Sequence, residues 1–255
     1  MNFFKRLYLF SIFAFLYLPI LVLIVYSFNN SKYSSNWSGF TLKWYEKLFE
    51  NDSLVDAAVN SILVAASSSV AATLLGTIGA VAFFRYSFTG KKLLSAVVFI
   101  LIMSPEIVMG IALLILFVLL NIELGFNSLL IAHISFSLPF VIVTVMSRLS
   151  GFDKNILEAA RDLGAREFDL FRLIILPNIF PAVIAGFLLS FTLSLDDVII
   201  SFFVSGVEFE ILPIKIFSMV RLGVSPEINA LSAIMFLFTI AVVAITQFLI
   251  REKNR

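Results

Sequence analysis

The stretch Glu158-Ala159-Ala160-Arg161-Asp162-Leu163-Gly164, followed nine residues later by Ile174-Ile175-Leu176-Pro177, lies in the most polar part of the sequence. From Arg148 to Arg172, 10 of 25 residues are ionisable, and five carry each sign of charge. Because the two signs balance, this segment does not have the composition of a polybasic lipid anchor. A polar segment of this length in an otherwise apolar chain indicates a loop that contacts another molecule in water.

The composition of the whole chain indicates a membrane protein. Of the 255 residues, 60% are hydrophobic and only 14% are charged, and the mean hydropathy is +1.04. Soluble domains carry roughly 25% charged residues, so lipid is the expected main solvent. A net charge of +1 excludes a strongly basic nucleic-acid binder, and the lack of cysteine excludes a disulfide framework.

Six apolar runs predict an all-α polytopic fold with six transmembrane helices in a single domain over residues 1–255. A spanning helix needs about 20 residues. The predicted spans are 7–28, 57–84, 93–122, 124–147, 178–205 and 228–250. The first run is longer than the roughly 7–15 apolar residues of a signal peptide, which favours an uncleaved span.

The distribution of Lys and Arg predicts the orientation. Thirteen of these residues fall on the side that holds both termini and the loop 148–177, and five fall on the other side. Since positively charged residues are enriched in cytoplasmic loops, both termini and the loop are expected in the cytoplasm.

Three acidic residues inside the predicted spans are candidates for a substrate pathway, because a charge at the centre of a spanning helix costs about 2.5–3.5 kcal/mol. At 1.5 Å per residue, Glu106 lies roughly 20 Å and Asp196 roughly 24 Å above the inner membrane face, so both could face one cavity. Asp196 and Asp197 point about 100° apart on a helix. One is expected to line the path and the other to cap, pair or hold a helix, and the sequence does not choose between them.

The polar loop itself predicts two short helices. Asp153 can cap the first, which carries Ile156, Leu157 and Ala160 on one face and pairs Glu158 with Arg161 on another. Gly164 ends this helix, where a left-handed residue or a close backbone contact is needed. A second short helix is expected over residues 165–175, after which Pro177 redirects the chain into the fifth span.

These residues resemble the E-A-A…G…I-x-L-P cytoplasmic loop of the permease subunits of bacterial ABC importers. The matching positions are Glu158, Ala159, Ala160, Gly164, Ile174, Leu176 and Pro177. The resemblance implies a type I importer permease with the MetI-like fold, whose loop docks into a cleft of a separate ATP-hydrolysing subunit. It also implies that ATP and Mg bind on that partner, with no catalytic residue, metal site or cofactor on this chain. In agreement, the sequence contains no G-x-x-x-x-G-K-[ST] phosphate loop.

Other stretches resemble the spermidine/putrescine permeases within that family. These stretches are 37–41, 103–109, 133–140, 194–198 and 222–227. The resemblance implies a place in the bacterial inner membrane beside a second permease subunit, an ATPase homodimer and a periplasmic polyamine-binding protein. It also implies that Glu106, Asp196 and Asp197 act on a substrate that is a chain of ammonium groups.

Three alternatives remain at this point. A permease of the same class could carry another small solute. A proton-coupled secondary carrier could use Glu106, Asp196 or His133 as a relay, but it leaves the polar loop unexplained. An intramembrane enzyme is disfavoured, because the chain has no H-E-x-x-H motif and no cysteine, and its single histidine, His133, has no evident Ser or carboxylate partner by spacing.

Overall fold

The structure is a computed structural model that describes residues 3–31, 36–153, 155–222 and 226–253. In these ranges all regular structure is helical, apart from one isolated bridge between Asn29 and Phe40. The helices are α1 (Phe3–Tyr26), α2 (Lys43–Glu50), α3 (Asp52–Arg85), α4 (Lys91–Met103), α5 (Glu106–Leu119), α6 (Phe126–Leu149), α7 (Asn155–Asp162), α8 (Glu167–Asp169), α9 (Leu176–Asp196), α10 (Ile199–Val204), α11 (Leu212–Leu222) and α12 (Pro226–Lys253), with a π-helical segment at Leu170–Ile175.

Five helical segments of the described chain are long and apolar enough to cross a membrane, and a bent pair gives the sixth candidate span. The pair is α4 and α5, whose axes differ by 112° across Ser104 and Pro105. The span predicted over 93–122 is therefore formed by two helices and not by one continuous helix. Pro105 cannot donate a backbone hydrogen bond. The Ser104 N–H donates to the carbonyl of Leu101 at 3.3 Å and the Ser104 hydroxyl donates to the carbonyl of Ile100 at 2.8 Å, so α4 ends here and α5 begins after Pro105.

The fifth candidate span runs from Glu167 to Asp196, not from 178 to 205 as predicted. The predicted second short helix over 165–175 is therefore the first part of this long helix, and Pro177 lies inside it. The reason is the π-helical segment before Pro177. There the Leu176 N–H donates to the carbonyl of Phe171, five residues back, and this wider turn accommodates a ring that a regular helix would exclude.

The chain divides into two compact units, one formed by Met1–Ala57 with Lys215–Arg255 and the other by Ala58–Ile214. The single permease domain over residues 1–255 stays a prediction. In the first unit, α12 packs against both α1 and α2. The indole N–H of Trp44 on α2 donates to the carbonyl of Asn29 at 2.7 Å, and the rings of Phe28 and Phe40 stack with centroids 5.3 Å apart.

The second unit is built around α3, α6 and α9. A Cβ placed on Gly76 of α3 would lie 2.7 Å from a methyl carbon of Val141 on α6, so these two backbones approach as closely as a glycine permits. One apolar core extends from here to Leu157 of α7 and to Leu170 at the start of the long fifth helix. A second core joins α5, α6 and α10 around Phe117, Leu129 and Ile200.

Candidate pathway and coupling sites

Asp197 lies at the break between α9 and α10 and caps α10. Its Oδ1 accepts the N–H of Ile200 at 3.2 Å, and its Oδ2 accepts the N–H of Ser201 at 2.8 Å and the Ser201 hydroxyl at 2.7 Å. The side chain is 3% exposed. A carboxylate that accepts from a helix N-terminus in this way satisfies donors that would otherwise be unpaired in an apolar interior. Asp197 therefore uses its carboxylate to hold the start of α10.

His133 joins Asp197 to two other helices. Its Nε2 lies 2.9 Å from the Ser201 hydroxyl and 3.6 Å from Asp197 Oδ2, and its Nδ1 lies 2.5 Å from the Ser194 hydroxyl on α9. Ser68 of α3 donates to Ser194 at 3.3 Å. These five residues are all buried, and they connect α3, α6, α9 and α10 in one hydrogen-bonded network.

The donors in this network fix one tautomer of the histidine. Since the single proton of Ser201 goes to Asp197, the Ser201 oxygen must accept from His133 Nε2–H. In a neutral imidazole, His133 Nδ1 is then the acceptor, and Ser194 donates its proton to it. A neutral imidazole thus satisfies the whole network without placing a second charge in the apolar interior.

No spacing in the sequence identifies a Ser or carboxylate partner for His133, and the structure supplies both. Its partners lie 61 to 68 residues away in sequence, so no local spacing reveals them. The four-residue interval between Asp197 and Ser201 is the one signal that pointed toward a pair, because it places an acceptor one helical turn from a donor. The network does not resemble a hydrolase centre, because the hydroxyls of Ser68, Ser194 and Ser201 lie in residues at most 3% exposed.

Asp196 and Glu106 differ from Asp197 in being exposed. Asp196 is the last residue of α9, and Glu106 is the first residue of α5, directly after the 112° bend. Asp196 directly precedes Asp197 in sequence, and Glu106 lies within electrostatic range of Asp196, so the three acids form one group that we name the acidic neighbourhood. Within the described ranges, neither Asp196 nor Glu106 forms a salt bridge.

Close packing of α5 on α10 brings these acids together. A Cβ on Gly110 of α5 would lie 2.8 Å from the ring of Phe203 and 3.3 Å from the Cα of Ile200, both on α10. Glu106 stands one turn before Gly110, and Asp196 stands just before α10. The Asp196 and Glu106 carboxylates are therefore held on neighbouring backbones by the same contact.

The charged loop forms the second candidate site. Leu157 of α7 is buried in the apolar core, Ala160 is half-buried beside it, and Ile156 is 48% exposed, so the predicted apolar face is only partly covered. Gly164 has φ +87°, and its N–H donates to the carbonyl of Arg161 at 2.8 Å. The left-handed residue that the sequence required at the end of this helix is therefore present.

The ion pairs of this loop differ from the predicted pair. Arg161 binds Glu167 at 2.9 Å, and Arg85, at the end of α3, binds the other oxygen of Glu167 at 2.6 Å. Among the described residues Glu158 forms no salt bridge, so the predicted pair of Glu158 and Arg161 was wrong. Arg161 pairs with Glu167 and not with Glu158, because Glu167 contacts two guanidinium groups at once, and that of Arg85 is buried.

The remaining residues of the predicted coupling motif are distributed around the same loop. Glu158 and Ala159 are exposed on α7, Ile174 and Leu176 are half-buried, and Pro177 is exposed. Two large apolar side chains also point outward, since Leu163 is 90% and Phe168 is 66% exposed. The loop thus exposes acidic and apolar side chains, while Leu157 packs into the apolar core beneath them.

Comparison with known proteins assigns this architecture to a family. Residues 72–252 match the family described as "Binding-protein-dependent transport system inner membrane component". The chain belongs to this family. It is therefore a transport subunit of the inner membrane, as predicted, and the ATP-hydrolysing activity of such transporters resides on a separate chain.

The names of individual relatives are more specific than the family description, because they state a substrate. The chain is 56% identical over 245 residues to the "Spermidine/putrescine transport system permease protein PotC" of Escherichia coli (strain K12), covering 96% of this chain and 93% of that protein. It is 42% identical over 229 residues to the "Putrescine transport system permease protein PotI" of the same strain, covering 87% and 82%.

A solved structure shares the fold. A chain of a bacterial ABC transporter involved in the import of the acidic polysaccharide alginate superposes with a TM-score of 0.73 at 14% identity, covering 99% of this chain and 94% of that one. This likeness and the helical structure confirm the predicted importer-permease fold. The cytoplasmic placement of both termini stays a prediction.

Proposed function

We propose that this chain is a membrane-spanning permease subunit of an ATP-driven importer that carries polyamines, spermidine or putrescine, from the periplasm to the cytoplasm. The observation that carries the proposal is its 56% identity, over nearly its whole length, to a spermidine/putrescine permease. The acidic neighbourhood of Glu106, Asp196 and Asp197 supports it, because carboxylates attract a polycation and repel an anionic solute.

The three acids have two roles in this proposal. Asp196 and Glu106, both exposed, line the path and receive ammonium groups of the substrate. Asp197, buried and fully hydrogen-bonded, positions them by holding the break between α9 and α10. This division follows from burial, since a carboxylate that already accepts three hydrogen bonds has little capacity left for a passing cation.

The loop 148–177 is the surface that receives force from the ATPase. Its exposed Glu158, Leu163 and Phe168 would contact a cleft on that partner, while Leu157 anchors α7 to the membrane core. The helix from Glu167 to Asp196 is 30 residues long, or roughly 45 Å, and it joins the loop to the acidic neighbourhood. Movement of the loop would therefore displace Asp196 through a continuous helix.

The partners follow from the same proposal. They are a second, different permease subunit that completes the pathway, an ATPase homodimer that binds ATP and Mg, and a periplasmic polyamine-binding protein that delivers the substrate. The lipid bilayer is the solvent of the apolar helices, and no nucleic acid is involved. Alternating access would arise from rigid-body movement of the two permease subunits.

Uptake by the reconstituted transporter tests the proposal. We expect proteoliposomes that contain this chain and its three partners to accumulate labelled spermidine only with ATP and the binding protein. Accumulation driven by a proton gradient without ATP would instead favour the secondary carrier. Uptake of a different solute by the same ATP-dependent assembly would retain the permease and overturn the polyamine assignment.

A further inference from the structure

Two cavities meet where α3 passes into α4. The first, which we name the apolar crevice, has a volume of about 230 Å³ and lies between α3, α4 and α6. Its lining is almost wholly apolar and includes Phe83, Val98, Ile142 and Met146. The second, which we name the basic cleft, has a volume of about 630 Å³ and is lined by Ser87, Phe88, Gly90, Lys91, Lys92 and Ser95.

The two cavities lie next to each other. Ser95 lines both of them. The rings of Phe83, in the apolar crevice, and Phe88, in the basic cleft, pack with their centroids 6.2 Å apart. One end of the combined site is therefore apolar and lies among membrane helices, while the other end is polar and positively charged.

The charge of the basic cleft is not neutralised by the described part of the chain. Neither Lys91 nor Lys92 forms a salt bridge there, and no carboxylate lines either cavity. Lys91 Nζ donates one hydrogen bond, to the carbonyl of Tyr86 at 3.0 Å, and an ammonium group has two further protons to donate. Two cations at the membrane boundary thus lack an anionic partner among the residues that the structure describes.

We infer that this site binds one anionic phospholipid of the cytoplasmic leaflet. Its phosphate would lie in the basic cleft between Lys91 and Lys92, and an acyl chain would fill the apolar crevice beside Phe83. Basic pockets between membrane helices on the cytoplasmic side bind lipid headgroups of this kind. The lipid would pack against α4, the first helix of the bent pair. Because α5 follows α4 and begins at Glu106, the lipid would help to hold the position of Glu106 from the opposite membrane face.

The site discriminates between a lipid and a soluble anion. A free phosphate would use the basic cleft alone, whereas a phospholipid needs both cavities. Ser95 stands at their junction, so a large side chain at this position obstructs the lipid and leaves the lysines in place. Ala96, its exposed neighbour on α4, lines neither cavity and provides a matched control.

Native mass spectrometry of the assembled transporter tests the inference, with phosphatidylglycerol and phosphatidylcholine of identical acyl chains as probes. We expect phosphatidylglycerol to be retained more tightly than phosphatidylcholine. The double variant Lys91→Gln/Lys92→Gln should weaken that retention roughly 30-fold, whereas Lys5→Gln/Arg6→Gln, which removes equal charge elsewhere on the predicted cytoplasmic side, should leave it unchanged. Ser95→Phe should also weaken retention, and Ala96→Phe should not.

Several results would overturn the site. Equal loss of retention in the two charge variants would show general surface attraction. Full retention in Ser95→Phe, or displacement of the lipid by glycerol phosphate at equal concentration, would show that the apolar crevice takes no part. Density for a partner polypeptide in the crevice of the assembled transporter would assign the surface to that partner.

Discussion

Arg85 and Glu167 join the end of one membrane helix to the start of another, with their charged atoms 2.6 Å apart. The Arg85 side chain is only 6% exposed, while that of Glu167 is 57% exposed and also binds Arg161. Because the helix that begins at Glu167 runs to Asp196, this bridge connects α3, α7 and the acidic neighbourhood. If the loop has the coupling role proposed above, this bridge is where a movement of the loop would reach the membrane core.

Glu167→Gln is expected to increase local opening of the loop without unfolding the protein. The substitution removes the charge that binds two guanidinium groups and leaves buried Arg85 without a charged partner. Since the Glu167 side chain is 57% exposed, solvent screening keeps the loss of stability small, and we expect a modest increase in the rate at which limited proteolysis cleaves residues 150–166. Asp162→Asn, an exposed acid on the same loop, is the control, and equal cleavage rates for both variants would remove the bridge from this role.

Asp196 and Asp197 are expected to respond differently to the same isosteric change. Asp196→Asn should reduce spermidine uptake while the thermal midpoint of the purified transporter stays unchanged, because an exposed carboxylate supports no internal structure. Glu106→Gln should behave in the same way.

Asp197→Asn should lower both uptake and the thermal midpoint. The buried cap loses the charged acceptor of three hydrogen bonds, at a cost of about 1–3 kcal/mol. Copurification with the ATPase, expected to be intact in all three variants, separates pathway defects from failed assembly. Unchanged transport in Asp196→Asn and Glu106→Gln would exclude both residues from the pathway.

Much of this site was accessible from the sequence. The apolar runs and the charged loop predict a polytopic membrane protein, and the intramembrane cost of charge singles out Glu106, Asp196 and Asp197. The family-specific positions from Glu158 to Pro177 predict the coupling loop. A left-handed residue or a close backbone contact was expected at Gly164, and the structure has the left-handed residue.

The features that the sequence did not predict depend on contacts between residues far apart in the chain. No local pattern shows that His133 meets Ser194 and Ser201, or that Arg161 prefers Glu167 to the nearer Glu158. The continuous helix through Pro177 was also hidden, because proline normally ends a helix and the π-helical segment that accommodates it has no reliable sequence signal.

The two ring nitrogens of His133 are expected to differ in importance. Gln can place its amide near the position of Nε2 and keep the bond to Ser201, whereas Asn can reach only the position of Nδ1, toward Ser194. If the Ser201 bond holds the α10 cap, His133→Gln should retain most uptake, and His133→Asn and His133→Leu should lose it. Ser135→Ala is the control, because Ser135 is a half-buried serine on the same helix whose hydroxyl donates to the carbonyl of Ile131.

A double-mutant cycle locates the effect. His133→Leu and Ser201→Ala should be non-additive in thermal stability, with an interaction energy of about 0.5–3 kcal/mol. In addition, His133→Leu should not reduce uptake further when Asp196 is already Asn, because the histidine acts by positioning that acid. Full additivity in both cycles would contradict a positioning role.

Gly164 is expected to tolerate side chains according to their cost in the left-handed region. Its φ is +87°, and a Cβ there would meet no atom within 4 Å, so backbone conformation alone sets the penalty. Gly164→Ala should destabilise the loop by about 1–2 kcal/mol, Gly164→Asn should cost less, and Gly164→Pro should abolish the turn and uncouple ATP hydrolysis from uptake.

Gly151→Ala is the matched control, because Gly151 also has open space around it but lacks a positive φ. Uptake and binding-protein-stimulated ATP hydrolysis, measured together in proteoliposomes, should follow the order Gly151→Ala, Gly164→Asn, Gly164→Ala, Gly164→Pro. A fully coupled Gly164→Pro transporter would show that the left-handed turn is not required to transmit force through the loop.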